Sequence, residues 1–437
     1  MESKIGCRNH SMHDILLQKQ REDFHIMTNW KKQFVPIITS QAFTLLGASA
    51  VQFAVIWWVT IQTESAISLG IAAIVAIVPS ILLGPIAGVW VDRYNRRTVM
   101  IIADIYVAIL SATLGVVFLL FETPPIWFVY IILFMRGIGT TFHMPAMQAA
   151  IPMLVPPEML TKAGGWGSMI NSFSSLLGPV MGAALFRLFS IEGVVLIDIF
   201  GMICAITCLL FIKIPDIPKS GEKVSIIADM KQGFHAMREN KPLMSIFPFL
   251  LIMMFLFMPL GSLFPLLVRV HFLGTEWHNG MSEFLFAGGM VAASLILGTL
   301  GGMKRRFLMA SLAIGLMGIT ALVSGALPYN AFWVFIVLCF FMGGSVPFMQ
   351  VPFMAYIQET IAPDKMGKVF SLIMMAVTSM TPLGLLIAAP ISEIIGINWW
   401  FFFSGIALIV NFFLCRLMTR KYDAETMQPE KFETAEE

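Results

Sequence analysis

Gly88-Val89-Trp90-Val91-Asp92-Arg93-Tyr94-Asn95-Arg96-Arg97 joins two long apolar runs, residues 71–90 and 98–121. Asp92, Arg93, Arg96 and Arg97 put four charges into six positions. Charges at that density are costly in hydrocarbon. The segment therefore reads as a short loop at a membrane surface, with a spanning helix on either side.

Composition carries the same reading to the whole chain. Of 437 residues, 58% are hydrophobic and 12% charged, and the mean hydropathy is +0.83. About 20 apolar residues span a bilayer core as a helix. Twelve such runs stand out, at about 34–61, 68–91, 98–121, 126–152, 164–188, 193–213, 243–268, 282–302, 307–327, 331–357, 368–391 and 399–419. Only helices and closed barrels satisfy backbone polar groups in lipid, and these runs are too long and continuous for barrel strands. The fold class expected is an all-α polytopic membrane protein.

Lys and Arg set the orientation. They gather in the loops on the side of both termini, from Lys31 and Lys32 through Arg93, Arg96, Arg97 and Lys162 to Lys304, Arg305, Arg306, Lys365 and Lys368. The opposite loops hold Glu64, Glu122, Glu192, Glu276 and Glu393. Both termini are thus expected in the cytoplasm of a bacterial cell. The polar stretch 214–242 divides the spans six and six. The expected plan is a tail at 1–33, one half at 34–213, a cytoplasmic linker at 214–242, a second half at 243–419 and a tail at 420–437. A weak repeat supports two related halves: residues 155–162 and 361–368 each carry Pro, an acid and Lys at the same spacing. Paired six-helix halves with a site between them are a transporter plan. Residues 1–26 read as an unstructured tail, and Met27 is an alternative start.

Several functions are excluded. The net charge of +2 implies no nucleic acid. The five cysteines form no Cys-x-x-Cys pair, so neither a disulfide nor a metal site is expected. There is no Gly-x-x-x-x-Gly-Lys-Ser/Thr loop and no catalytic triad, so neither an enzyme nor a cofactor is expected. The remaining partners are a small amphipathic substrate, protons and membrane lipid, around a monomer. Energy then comes from an ion gradient or from the substrate's own.

Charges inside the spans are few. Arg136 lies ten residues into the fourth span, about 15 Å deep at roughly 1.5 Å per residue. Intramembrane charges face a cavity or a partner, so Arg136 either lines a substrate or proton path or pins helices together. Asp104 is the first choice for a titrating carboxylate. Its alternative is an ion pair with Arg96 and Arg97. His143 follows Arg136 by seven residues on one helix face, as a proton relay or a packing residue. Asp198 is the remaining candidate, read more as structural than as coupling. Glu283 falls at the outer start of the eighth span, where solvent reaches it. Gly178-Pro179-Val180-Met181-Gly182-Ala183 interrupts the fifth span, with a proline kink and two glycines for close helix contact.

Together these residues resemble the major facilitator superfamily over about residues 30–420. Gly88, Asp92, Arg93, Arg96 and Arg97 are similar to its loop between spans two and three. Val91 replaces the usual Ala and Asn95 the usual Gly, a change that Asn tolerates through its access to left-handed backbone. Arg136-Gly137-Ile138-Gly139 resembles the span-four motif tied to proton coupling. Gly178, Pro179 and Gly182 resemble the span-five motif of drug/proton antiporters, with Ser174 and Ala183 where that pattern has Gly. Asn29-Trp30-Lys31, Thr140, Phe142, His143, Pro145, Ala146, Ser345-Val346-Pro347-Phe348 and Gly367-Lys368-Val369-Phe370 resemble the Mef-type macrolide-efflux group. The resemblance implies two pseudo-symmetric six-helix halves and export of macrolide-like drugs in exchange for protons. The alternative is proton-coupled transport of a metabolite such as a siderophore or lipid precursor. The resemblance also implies that Asp92 latches against Gly367 and Lys368 at the start of span eleven.

Overall fold

The computed structural model describes residues 3–121, 123–156, 159–212, 226–300, 305–361 and 363–425. They form α1 (Ser3–Thr63), α2 (Ala66–Arg93), α3 (Arg96–Leu120), α4 (Ile126–Leu154), α5 (Leu160–Leu210), α6 (Ile226–Glu239), α7 (Lys241–Leu266), α8 (Glu276–Leu300), α9 (Arg306–Ala326), α10 (Phe332–Thr360), α11 (Pro363–Ile395) and α12 (Ile397–Glu425). Among the described residues, eleven helices are long and apolar enough to cross a membrane. One of them crosses twice. Ser190 breaks α5 with φ 57° and ψ −165°, a conformation rarely adopted outside glycine. The second arm then returns, because Leu209 and Leu210 at its end accept hydrogen bonds from Arg97 at the start of α3. The twelve runs of the sequence are therefore twelve crossings, and the break falls where the sequence placed the gap between spans five and six.

The crossings define two faces. The terminal face holds the α2–α3 turn, the ends of α4, α8, α10 and α12 and the starts of α5, α7, α9 and α11. The distal face holds the α1–α2, α3–α4, α7–α8, α9–α10 and α11–α12 turns and the Ser190 break. Helices α1–α5 pack chiefly on one another, and so do α7–α12; these two groups are termed the first and second halves. Between them α6 packs on α11 and α7.

The opening loop is tighter than its composition suggests. Only Tyr94 and Asn95 separate α2 from α3. Asn95 has φ −61° and caps α3, accepting from Thr98 N at 3.3 Å. Its role is thus an N-cap, not the left-handed turn that a replaced Gly suggested. Residues 3–26, read as unstructured, continue α1. Their sequence holds Gly6 and no proline, and its Glu, Gln, Lys, Arg and Leu favour helix. Part of the linker is helical as α6, and residues 420–425 continue α12. Tyr422 and Asp423 are buried there, with Asp423 accepting from Leu308 N at 3.1 Å at the start of α9.

Candidate translocation site

Within the first half, α3 and α4 run antiparallel and carry two polar rungs. At the rung nearer the distal face, Arg136 Nη1 is 3.1 Å from Asp198 Oδ2 on the second arm of α5. Ser111 of α3 donates to the same carboxylate oxygen at 2.8 Å and accepts from Arg136. Nearer the terminal face, His143 Nε2 is 3.3 Å from Asp104 Oδ1, without the alignment of a hydrogen bond. All five side chains are buried. Seven residues separate the rungs on both helices, Asp104 from Ser111 and Arg136 from His143. Seven residues are two turns, about 10 Å, so both rungs lie on one pair of facing stripes. The structure thus brings Arg136 to Asp198, not to Asp104. Asp104 is partnered by His143 rather than by the Arg96/Arg97 loop. Arg96 turns instead to Met153, and Arg97 caps the end of α5.

Glycines bring these helices close. A Cβ on Gly137 would lie 2.6 Å from Ala76 O on α2, and one on Gly139 would lie 2.4 Å from Val107 Cγ2 on α3. The Arg136-Gly137-Ile138-Gly139 motif therefore places one charge on α5 and one glycine on each of two other neighbours. Gly47 plays the same part on α1, where a Cβ would sit 2.8 Å from Asp198 Oδ1. Small residues at such contacts let backbones approach.

The span-five motif joins the halves. Cβ atoms on Gly178 and Gly182 would collide with Ser49 and with Ala50 O of α1. On another side, Pro179 and Ala183 face Gly280 of α8. The helix carries through Pro179, and its sharp break lies at Ser190.

A cavity of about 370 Å³ opens between the halves. Ser49, Gln52, Phe53, Ser175 and Pro179 line it from one half, and Ser262, Phe264, Glu283, Phe286 and Met290 from the other. Glu283 is the charged group among the described lining residues, and Asn279 donates to it at 3.2 Å. This corrects its reading as a span-end residue. The helix starts at Glu276, and polar Asn279 and Ser282 are buried within it, so Glu283 lies two turns inside.

The halves meet at the distal face. Glu393 of α11 accepts from Ala66 N at 2.7 Å, Ser65 Oγ at 3.2 Å and Ile67 N at 3.4 Å. Arg269 pairs with Glu64 at 3.0 Å, and Gly70 fits against Ala389. Toward the terminal face, a Cβ on Gly84, Gly88 or Gly367 would meet nothing within 4 Å, and Trp90, Trp166 and Phe173 are exposed. The side chains of Asp92 and Arg93 lie outside the described residues, and so does any contact they make.

Residues 37–384 match the sequence profile of the Major Facilitator Superfamily. The chain belongs to that superfamily. It is 36% identical over 402 residues to macrolide efflux protein A of Streptococcus pyogenes, covering 90% of this chain and 98% of that one. It is 26% identical to the staphyloferrin A transporter of Staphylococcus aureus, over 87% of this chain and 95% of that one. In fold it resembles the crystallised POT family transporter PepTSo, with TM-score 0.67 at 13% identity, over 91% and 99% of the two chains. This major facilitator protein is therefore a multi-pass membrane transporter related to macrolide efflux proteins, with the all-α fold that its twelve apolar runs predict. Sequence reasoning named Arg136, Asp198, Asp104 and His143 but paired neither rung, passed over Ser111, and placed Glu393 only in a distal loop. Depth was the available signal for pairing: Arg136 and Asp198 lie ten and eight residues from the distal face, whereas Asp104 lies eight residues from the terminal face.

Proposed function

We propose that this transporter exports amphipathic cationic drugs of the macrolide kind across the bacterial cell membrane by alternating access, in exchange for protons. Both termini then lie in the cytoplasm, a placement that the Lys and Arg distribution supports. Glu283 carries the reading. A lone carboxylate in a cavity otherwise lined by aromatic, aliphatic and hydroxyl groups and the Gln52 amide suits an apolar molecule with one positive charge. An anionic metabolite would need basic side chains, and none of the described lining residues is basic. The distal contacts, with Gly84 and Gly88 of α2 and Gly367 of α11 facing open space on the terminal side, match a state open to the cytoplasm, ready to load.

The buried rungs are the proposed proton-handling groups. Asp104 and His143 stand close enough to share one proton. Arg136, Ser111 and Asp198 tie α3, α4 and α5 together, so a change of protonation there would be felt by three helices. In this scheme Asp92, with Gly88, Arg93, Arg96 and Arg97, holds the cytoplasmic side when it closes on α11.

The test is drug accumulation in an efflux-deficient bacterium expressing the chain. Macrolide accumulation is expected to fall, a protonophore to restore it, and Glu283→Gln to weaken export of cationic more than of uncharged drugs. An unchanged drug profile in Glu283→Gln would remove this carboxylate from recognition. Unchanged accumulation of every drug on expression would overturn the export reading itself.

A further inference from the structure

Helix α6 turns a second, unrelated surface outward. Gly233, Ala236 and Met237 form its buried side, and a Cβ on Gly233 would lie 2.8 Å from Lys368 O on α11. The outward stripe is Lys231, Phe234, His235 and Arg238, at the i, i+3, i+4, i+7 spacing of one helix face. Together with Gln232 and with Lys365 of α11, these residues line a cavity of about 690 Å³. None of the described residues lining it is acidic. Beside it, Glu239 meets His235 at 3.3 Å and Lys365 at 3.9 Å.

Two things about this stripe are hard to place in water. Phe234 is 51% exposed between two cations, and Met230 beside it is 36% exposed. Moreover, α6 ends at Glu239 and the spanning helix α7 begins at Lys241, so α6 lies where that helix enters the bilayer. An aromatic ring flanked by Lys and Arg at that level is the pattern of a helix lying in the headgroup layer. The long basic side chains reach phosphates while their stems and the ring rest on acyl chains.

We propose that Lys231, Phe234 and Arg238 of α6, with Lys365 of α11, form a docking site for an anionic phospholipid. The phosphate takes the charges and the upper acyl chain takes Phe234. A free phosphate ion would satisfy only the first requirement, which is why the lipid is the occupant. Because α6 sits on the first turns of α11, a bound lipid also braces the helix whose other end carries Glu393.

Native mass spectrometry of the purified full chain, offered equal phosphatidylglycerol and phosphatidylcholine, tests this. The wild type should retain phosphatidylglycerol preferentially. Each basic residue near a membrane surface contributes about fivefold, so K231Q/R238Q/K365Q should bring retention toward parity. Glu239→Gln removes the competing acid and should raise the preference, a gain that misfolding cannot mimic. Excess inorganic phosphate should leave lipid retention unchanged. Equal preference in wild type and triple variant would overturn the proposal, as would no gain in Glu239→Gln. Displacement by inorganic phosphate would show an anion site without lipid character, and would overturn it too.

Discussion

Replacing Glu393 by Gln should open the distal face. The carboxylate sits at the N-terminus of α2 and takes the Ala66 N–H at 2.7 Å and the Ser65 hydroxyl at 3.2 Å. A hydrogen bond to a charged group is worth about 1.5–3 kcal/mol, and a carboxylate at a helix N-terminus adds about 0.3–1 kcal/mol. The group is exposed, so the low ends apply. Glutamine keeps an acceptor but loses the charge, which leaves a loss of about 1 kcal/mol. The Glu64–Arg269 pair is also exposed and contributes about 0.2–1 kcal/mol. Removing both acids should therefore shift the balance toward the distal-open state by about tenfold. Spin labels at exposed Leu119 and Tyr329, one in each half on the distal face, report the change by pulsed dipolar spectroscopy in a chain with its five cysteines replaced. Longer distances should grow in Glu393→Gln and grow further in the double variant. A distance distribution identical to that of the parent in the double variant would refute the reasoning.

Arg136→Met leaves Asp198 buried without its cation and should cost about 3–5 kcal/mol, read as a fall in melting temperature with loss of export. R136M/D198L should recover most of the stability and none of the transport. Gly139→Ala drives a Cβ to 2.4 Å from Val107 and should destabilise by about 1–3 kcal/mol; Val107→Ala in the same chain should restore the melting temperature. Asp104→Asn should keep downhill drug movement in proteoliposomes while losing uphill export driven by a pH gradient. Wild-type dependence on that gradient would show that this carboxylate carries no proton.

The fold was legible because hydrocarbon imposes a simple pattern. Twelve apolar runs had to be helices, and even the Ser190 turn shows as a gap between two of them. Pairing within the bundle was less legible, because a periodic apolar pattern fixes depth but not azimuth. Arg136, Asp198 and Ser111 meet at one depth from three helices, and the depth of Asp198 was the clue that favours it over Asp104. Glu283 was obscured by polar residues at the start of α8. The apolar run begins at 282 and leaves out Asn279, whereas the folded helix buries it. Glu393 gave no local signal, since its partners are two backbone N–H groups and the Ser65 hydroxyl, 326 to 328 residues away. The helical character of α6 was hidden by the length of the polar stretch around it.

The buried rungs and the inter-half cavity share no described side chain. One lies among α1, α3, α4 and α5, packed through Gly47, Gly137 and Gly139, and the other lies where α1, α2 and α5 face α7 and α8. On the proposed function, load and engine are thus built from separate parts. A lineage under changing chemical pressure can reshape Phe53, Phe264, Phe286 or Met290 without disturbing a single buried charge. New cargo would then be acquired by substitutions that leave the machinery of exchange intact, and the resistance range of such a protein would widen faster than its energetics could change.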